Sequence, residues 1–238
     1  MEVKTQAIVL QAIDYKDSDK LLTLFSPNLG KITAGIRGVK KPKAKLAFSA
    51  QPFCFAEYVL ATKGGRYTVT SAYLHESFFE LRSDITRFYG GAAVMETVRE
   101  ITLENQDCQN LFIALIECLK TLCLTNESVE DAVVTFLLIA LRESGYPIDF
   151  GEETAVQKGE KLVFDFSNGR FTSVENAESG ERASVSTYHT LRKCAGLTYD
   201  ENALAGGGKR ALRLLKAYLI EKTETRLDAL GELIRLID

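Results

Sequence analysis

Histidine is nearly absent from this sequence: His75 and His189 are the only two imidazoles in 238 residues. Neither stands in the spacing that sets two zinc ligands and a general base on one face of a metalloprotease helix. No G-x-S-x-G occurs, so the strained nucleophile turn of acyl-transfer hydrolases has no support. No G-x-G-x-x-G occurs either. The segment GGGKR (206–210) has the look of a phosphate loop, but that motif needs glycine at 203 and serine or threonine at 210, where Ala203 and Arg210 stand. A break before a helix accounts for it better. The 32 acidic residues show no pattern that marks an acid–base pair. Nothing here points to a familiar catalytic mechanism, and no catalytic residue is expected.

Long hydrophobic runs are also lacking. The longest, AVVTFLLIAL (132–141), is closed by Asp131 and Arg142 and is too short to cross a bilayer. The opening MEVKTQAIVLQ carries an acid and a base and no small-residue cleavage site, so it does not read as a secretory signal. Five cysteines, at 54, 108, 118, 123 and 194, make an odd number with no regular framework, as expected of reduced thiols in a cytoplasmic protein. Cys118 and Cys123 are five apart on an expected helix and so point to different faces. Structural zinc sites take four ligands in closely spaced pairs, and that requirement is not met. No cofactor and no metal are expected.

What is present is an uneven charge. Residues 1–75 carry a balance of +6 and the remainder −9, for a net of −3. A basic segment joined to an acidic body suggests an anionic partner for the former.

The basic segment reads as β-structure. VKTQAIVLQAI (3–13), KLLTLFS (20–26), GKITAGIRG (30–38), QPFCFAEYVLAT (51–62) and YTVTSAYL (67–74) are strand-like and separated by turn residues. Gly64-Gly65 marks a two-residue hairpin, since both positions tolerate positive φ. Five strands with short turns and one long loop fit a small closed barrel of the OB type. Residues 1–78 are therefore expected to form one domain, and 79–238 a helical one. Helical pattern runs over 81–104, 108–124, 128–145, 184–196, 209–227 and 228–236, with 108–124 and 128–145 apolar enough to be central. Ser128 with Asp131 resembles a capping box, and Gly145 before Pro147 is a stop. Between them, 161–175 reads as a β-hairpin turning at Asn168-Gly169. The expected class is α+β: an N-terminal five-stranded OB-fold barrel, then an α-helical domain with a small β-hairpin insertion.

The long loop, GIRGVKKPKAK (35–45), holds Arg37, Lys40, Lys41, Lys43 and Lys45 and no acid. Most charge runs are solvated surface. Here the cations are unaccompanied, Gly35, Gly38 and Pro42 keep the segment extended or turning, and the scaffold commonly binds single strands through basic grooves and aromatic platforms. Lys31, Lys63 and Arg66 extend the basic surface, and some of Phe48, Phe53, Phe55, Tyr58, Tyr67 and Tyr73 are available to stack on bases. Lys209, Arg210, Arg213 and Lys216 form a second basic cluster on an amphipathic helix, suited to an acidic peptide or to solvent.

The stretch from Ala7 to Leu46, with A-I-V-L, D-S-D, L-L-T-L-F, L-G-K and the glycine–arginine strand entering a lysine loop, resembles the opening of the RecO family of DNA repair proteins. QPF (51–53), LHESF (74–78), LRSD (81–84) and LRESGYPIDF (141–150) continue the resemblance. It implies an OB-fold and a helical domain in a bacterial recombination mediator without cofactor turnover, acting in the cytoplasm and on the nucleoid during repair. Such a protein binds single- and double-stranded DNA and anneals complementary strands. With RecR it helps load the RecA recombinase onto DNA coated by single-stranded DNA-binding protein, whose acidic C-terminal tail it contacts. Many members carry a four-cysteine zinc module after the central helices; residues 146–193 hold no cysteine, so 146–183 is expected to be a metal-free remnant. Two other readings stay open, a protein-binding adaptor with an incidental basic loop and, with least support, a metal-dependent nuclease.

Overall fold

Period-2 burial governs the first 76 residues. In β3 (Gly30–Ile36), Ile32, Ala34 and Ile36 are buried while Thr33 faces out, as a pleated strand requires. With β1 (Glu2–Tyr15), β2 (Asp19–Ser26), β4 (Phe55–Lys63) and β5 (Arg66–Glu76) it closes a barrel in the order β1-β2-β3-β5-β4. Only β3 and β5 run parallel; the other pairs are antiparallel. The computed structural model describes residues 1–104, 106–151, 162–173 and 179–237.

The fourteen residues of β1 serve two neighbours. Glu2–Ile8 pairs with β4 and Ile8–Tyr15 with β2, and a bulge between Val9 and Gln11 lets the strand bend from one to the other. Leu22, Leu24, Ile36 and Leu60 are fully buried inside, each worth roughly 1.5–3 kcal/mol against exposure. The polar groups that enter this core are paired: the Thr5 and Ser26 hydroxyls lie 2.6 Å apart, and the Tyr58 hydroxyl donates to the Ser49 carbonyl at 2.9 Å. Burial keeps the Tyr58 hydroxyl protonated, pushing its pKa far up. Gly64 and Gly65 both take positive φ between Lys63 and Arg66, the expected tight hairpin.

The chain divides into two compact units, Met1–Ser83 with Thr102–Leu119, and Asp84–Ile101 with Lys120–Asp238. The first takes in more than the strand-rich residues 1–78. The helices are α1 (Ile85–Ile101), α2 (Gln109–Leu124), α3 (Val129–Glu143), α4 (Val185–Cys194), α5 (Gly207–Thr223) and α6 (Asp228–Leu236). In the second unit α3 packs against α1, α4 and α5, burying Val133, Val134, Phe136, Leu137 and Leu141. Ser128 caps it as expected, accepting from the Asp131 N–H at 3.2 Å, but its hydroxyl donates to Glu130 rather than forming a reciprocal box. α2 is not the central bundle helix its apolar composition suggested. Its Phe112 instead packs on Phe25 and Phe55 of the barrel, with ring centroids 5.8 Å away in each case.

The expected insertion is a three-stranded sheet, with β6 (Leu162–Asp165) between β7 (Arg170–Ser173) and β8 (Gly180–Arg182). Its turn is four residues long, closed by the buried Asp165, which accepts from the Ser167 N–H and the Asn168 amide. The hairpin expected over 161–175 reaches beyond the described residues at 161, 174 and 175. Residues 152–161 and 174–178 of the expected remnant likewise lie outside them. The remnant's described part is filled with rings: Phe164 touches Phe166, Phe171 and Tyr218 at centroid distances of 5.0–5.7 Å. Aromatic rings offer no metal ligand, and the described residues here do not fit the zinc module considered above.

Candidate nucleic-acid interface

Arg37 and Arg66 are 29 residues apart in sequence and share one cleft. β3 pairs in parallel with β5, placing Ala34, Gly35 and Ile36 opposite Tyr67, Thr68 and Val69. Arg66 precedes that parallel register and Arg37 follows it, so the two stand at its opposite ends along one cleft. The β1–β2 turn adds Tyr15, Lys16 and Lys20, and the whole encloses about 760 Å³. Four cations, Lys16, Lys20, Arg37 and Arg66, line it against two carboxylates, Asp19 and Glu104. Asp19 is committed to the architecture: its Oδ1 accepts from the Gly38 N–H at 2.9 Å. That hydrogen bond, ahead of the neighbouring Ser18 hydroxyl and the charges of Lys16 and Arg37, holds its carboxyl below the usual range.

Strand β3 stops at Ile36, two residues short of expectation, because the Gly38 amide turns to Asp19 and the Lys40 amide to the Ser18 carbonyl at 3.1 Å. The loop then coils through successive turns. Ala44 N–H donates to the Lys41 carbonyl across Pro42 and Lys43, and Lys43 takes positive φ. Val39 is buried in the barrel core while Lys40, Lys41, Lys43 and Lys45 are exposed. One expectation needs correcting. The loop has no acid in its sequence, yet Lys40 Nζ lies 2.7 Å from Asp14 Oδ2 of β1. The loop lysines adjoin the cleft through Arg37 but do not line it. Lys63 is exposed beside the hairpin turn, and Lys31, at the start of β3, stands where the strand bridges to Glu104.

The aromatic residues divide clearly. Phe53 and Tyr58 are core, and Phe55 is half-buried against Phe112 and His75. Tyr67 lines the cleft, while Phe48 and Tyr73 are exposed away from its lining. Tyr15, which sequence reasoning passed over, is 45% exposed on the cleft rim with Lys16 Nζ 5.2 Å from its ring centroid. Its signal was faint: it sits in DYKDSD, where alternating charges read as an ordinary polar turn.

Among the second set, Lys209, Arg210 and Arg213 come together at the N-terminus of α5, and Lys216 does not join them. The cysteines are ordinary: burial pushes the Cys118 thiol up to about 12, and burial with the Asp131 charge pushes Cys194 up to about 11. Among the described residues no group of three His, Cys, Asp or Glu could hold a metal ion, and no helix is long and apolar enough to cross a membrane.

A barrel in this strand order, with its cleft on the β2–β3 face and the β1–β2 and β4–β5 turns at its rim, defines an OB-fold protein, a class that binds oligomers on that surface. Comparison with known proteins makes the assignment particular. Residues 1–78 match the family described as Recombination protein O N terminal, and residues 82–230 match Recombination protein O C terminal. The DNA repair protein RecO of Acetivibrio thermocellus is 34% identical, the match covering 98% of both chains. That of Clostridium novyi is 35% identical over 79% of this chain and 75% of its own. The chain belongs to the RecO family of DNA repair proteins.

Proposed function

We propose that this protein is a recombination mediator that binds single- and double-stranded DNA through its barrel and anneals complementary strands. With RecR it would help load the RecA recombinase onto single strands coated by single-stranded DNA-binding protein, whose acidic C-terminal tail is a further partner. It would do so without catalytic turnover, in the cytoplasm of a bacterium and on the nucleoid during repair. One observation carries the DNA-binding part: the meeting of Lys16, Lys20, Arg37 and Arg66 in one cleft edged by Tyr15 and Tyr67. Cations there and on the adjoining loop release condensed counterions from the phosphates, a gain indifferent to sequence and sensitive to salt. Rings at the rim stack on any base. Annealing follows in the same terms, since a positive surface lowers the repulsion between two strands and leaves their base edges free to pair.

The test is binding of a labelled single strand by anisotropy across a salt series. Wild type is compared with Arg37→Glu/Arg66→Glu and with Lys40→Glu/Lys41→Glu/Lys43→Glu/Lys45→Glu. About five neutralised phosphates give a slope of log K against log salt of roughly −3.5. Both variants should flatten it. If neither changes the slope, the DNA surface lies elsewhere; if wild type binds no oligonucleotide at low salt, the barrel serves a protein partner instead.

A further inference from the structure

Glu104 differs from every other residue that lines the barrel cleft. It alone comes from beyond the first 78 residues, and it brings a negative charge to a wall built of Lys16, Lys20, Arg37 and Arg66. Three contacts tie its segment to the barrel. Glu104 bridges to Gly30 and Lys31 of β3, the backbone of Gln106 packs against Gly30, and the Cys108 N–H donates to the Pro27 carbonyl at 3.1 Å. The fold itself therefore places this carboxylate in the cleft.

The floor beside it is a gap in the sheet. β3 pairs with β5 only over Ala34–Ile36, and with Glu104 at Gly30 and Lys31. Ile32 and Thr33, between these, have no strand on that side among the described residues, and both line the cleft. Tyr15 and Tyr67 offer ring faces in the same cleft, on which an unpaired base can stack.

The two acids of the cleft are engaged differently. Asp19 Oδ1 accepts from the Gly38 N–H at 2.9 Å and from the Ser18 hydroxyl at 3.2 Å. Glu104 is exposed, and among the described residues its side chain makes no ion pair or hydrogen bond. Such a carboxylate repels phosphate and so opposes what the four cations do. It also accepts hydrogen bonds and donates none. Lysine and arginine only donate, and tyrosine and threonine hydroxyls do both. Apart from the engaged Asp19, Glu104 is thus the one lining side chain that distinguishes a donor edge from an acceptor edge.

We propose that Glu104 gives the barrel a base preference, its carboxylate accepting from the exocyclic amine of an unpaired cytosine, adenine or guanine and disfavouring thymine. Cytosine and thymine make the sharpest comparison, because rings of equal size differ at one edge by an amine against a carbonyl. The ring N–H of thymine does not rescue it, since two carbonyl oxygens flank that donor and face the carboxylate. Phosphate contacts hold the strand while its base edges are read. A lysine-bearing protein would also pair with Glu104, but the four cations that share the cleft oppose it. The inference rests on single-strand binding by the barrel and adds the bases it selects.

The test is anisotropy of oligo-dC and oligo-dT of one length with the full chain, at neutral pH and fixed salt. Oligo-dC should bind about five- to tenfold tighter, the effect of one charge-assisted hydrogen bond in a wet cleft. Glu104→Gln keeps the side-chain shape and the backbone bridges, and its amide both donates and accepts. In that variant the two oligomers should bind alike, oligo-dT being the one that gains. Replacing the cytosines by 2-pyrimidinone, which lacks the amine, should remove the advantage in wild type and have little effect in Glu104→Gln. Equal binding of the two oligomers by wild type overturns the proposal, as does a cytosine preference that persists in Glu104→Gln. A uniform gain for both oligomers in that variant, the ratio unchanged, shows general repulsion of phosphate and overturns it too. These three outcomes leave DNA binding by the barrel standing. Failure of wild type to bind either oligomer at low salt overturns both readings together.

Discussion

Asp14 holds Lys40 Nζ at 2.7 Å across the surface of the barrel, with both side chains substantially exposed. The hydrogen bond from Lys40, ahead of its charge and that of Lys20, lowers the Asp14 carboxyl below its ordinary value, so the group is ionised at neutral pH. A lysine whose charge is already matched by a carboxylate displaces little from a nucleic acid's counterion atmosphere. Asp14→Asn keeps the side-chain shape and frees that charge, so a bound strand gains one neutralised phosphate. For single strands each such phosphate adds about 0.7 to the slope of log K against log salt. The slope should therefore steepen by about 0.7, and near 0.1 M salt the affinity should rise roughly fivefold. Anisotropy of a labelled oligonucleotide between low and moderate salt reads both. The same substitution in a Lys40→Gln background should have little effect, since the interaction it relieves is gone. Unchanged slope and affinity would refute the reasoning and place Lys40 outside the DNA contact. A gain that survives in Lys40→Gln would refute it differently, showing that Asp14 acts by general repulsion.

Other outcomes follow from single contacts. Gly30 has φ +62 and lies against the backbone of Gln106, so Gly30→Ala should cost about 2 kcal/mol or more from left-handed strain and collision; an unchanged Tm in thermal unfolding would contradict this. Phe164 is fully buried among Phe166, Phe171 and Tyr218, so Phe164→Ala should cost about 3–5 kcal/mol by chemical denaturation. A strong chelator should leave the wild-type Tm where it is, and a drop would show that a metal supports this region after all. Asp19 titrates below its ordinary value, so its hold on the basic loop is present above the unfolded carboxylate pKa of about 3.9 and fades as pH falls through the lower folded value. An acid titration followed at the Gly38 amide should give a midpoint under that figure, and one at or above it would remove Asp19 as the anchor.

Much of the architecture was legible because its causes are local. Alternation marked the strands, Gly64-Gly65 marked a hairpin, and Ser128 and Gly145 bounded α3 through a cap and a left-handed stop. The errors occurred where a distant partner took over a backbone group or a helix face. Gln51–Cys54 reads as strand but closes a turn, with the Cys54 N–H on the Gln51 carbonyl and Phe53 at positive φ. The first turn of α6 receives its cap from Glu96 of α1, whose carboxylate accepts from the Ala229 N–H at 2.8 Å. The strand β8 has little sequence signal and exists through its pairing with β6.

The candidate sites divide on the same principle. Periodicity and turn chemistry act over a few residues, so the barrel's strands, the helices and the concentration of positive charge in the first third of the chain can be read from residue order alone. Which charges become neighbours depends on how the elements pair and pack. The parallel register of β3 and β5 and the β1–β2 turn bring Arg37, Arg66, Lys16 and Tyr15 to one cleft. The pairing of β1 with β2 leaves Asp14 within reach of Lys40, and the packing of α4 against α5 brings Lys193 into one cleft with Lys209 and Arg213. Electrostatic interaction depends on distance in space, and chain reversal sets that distance independently of separation along the sequence.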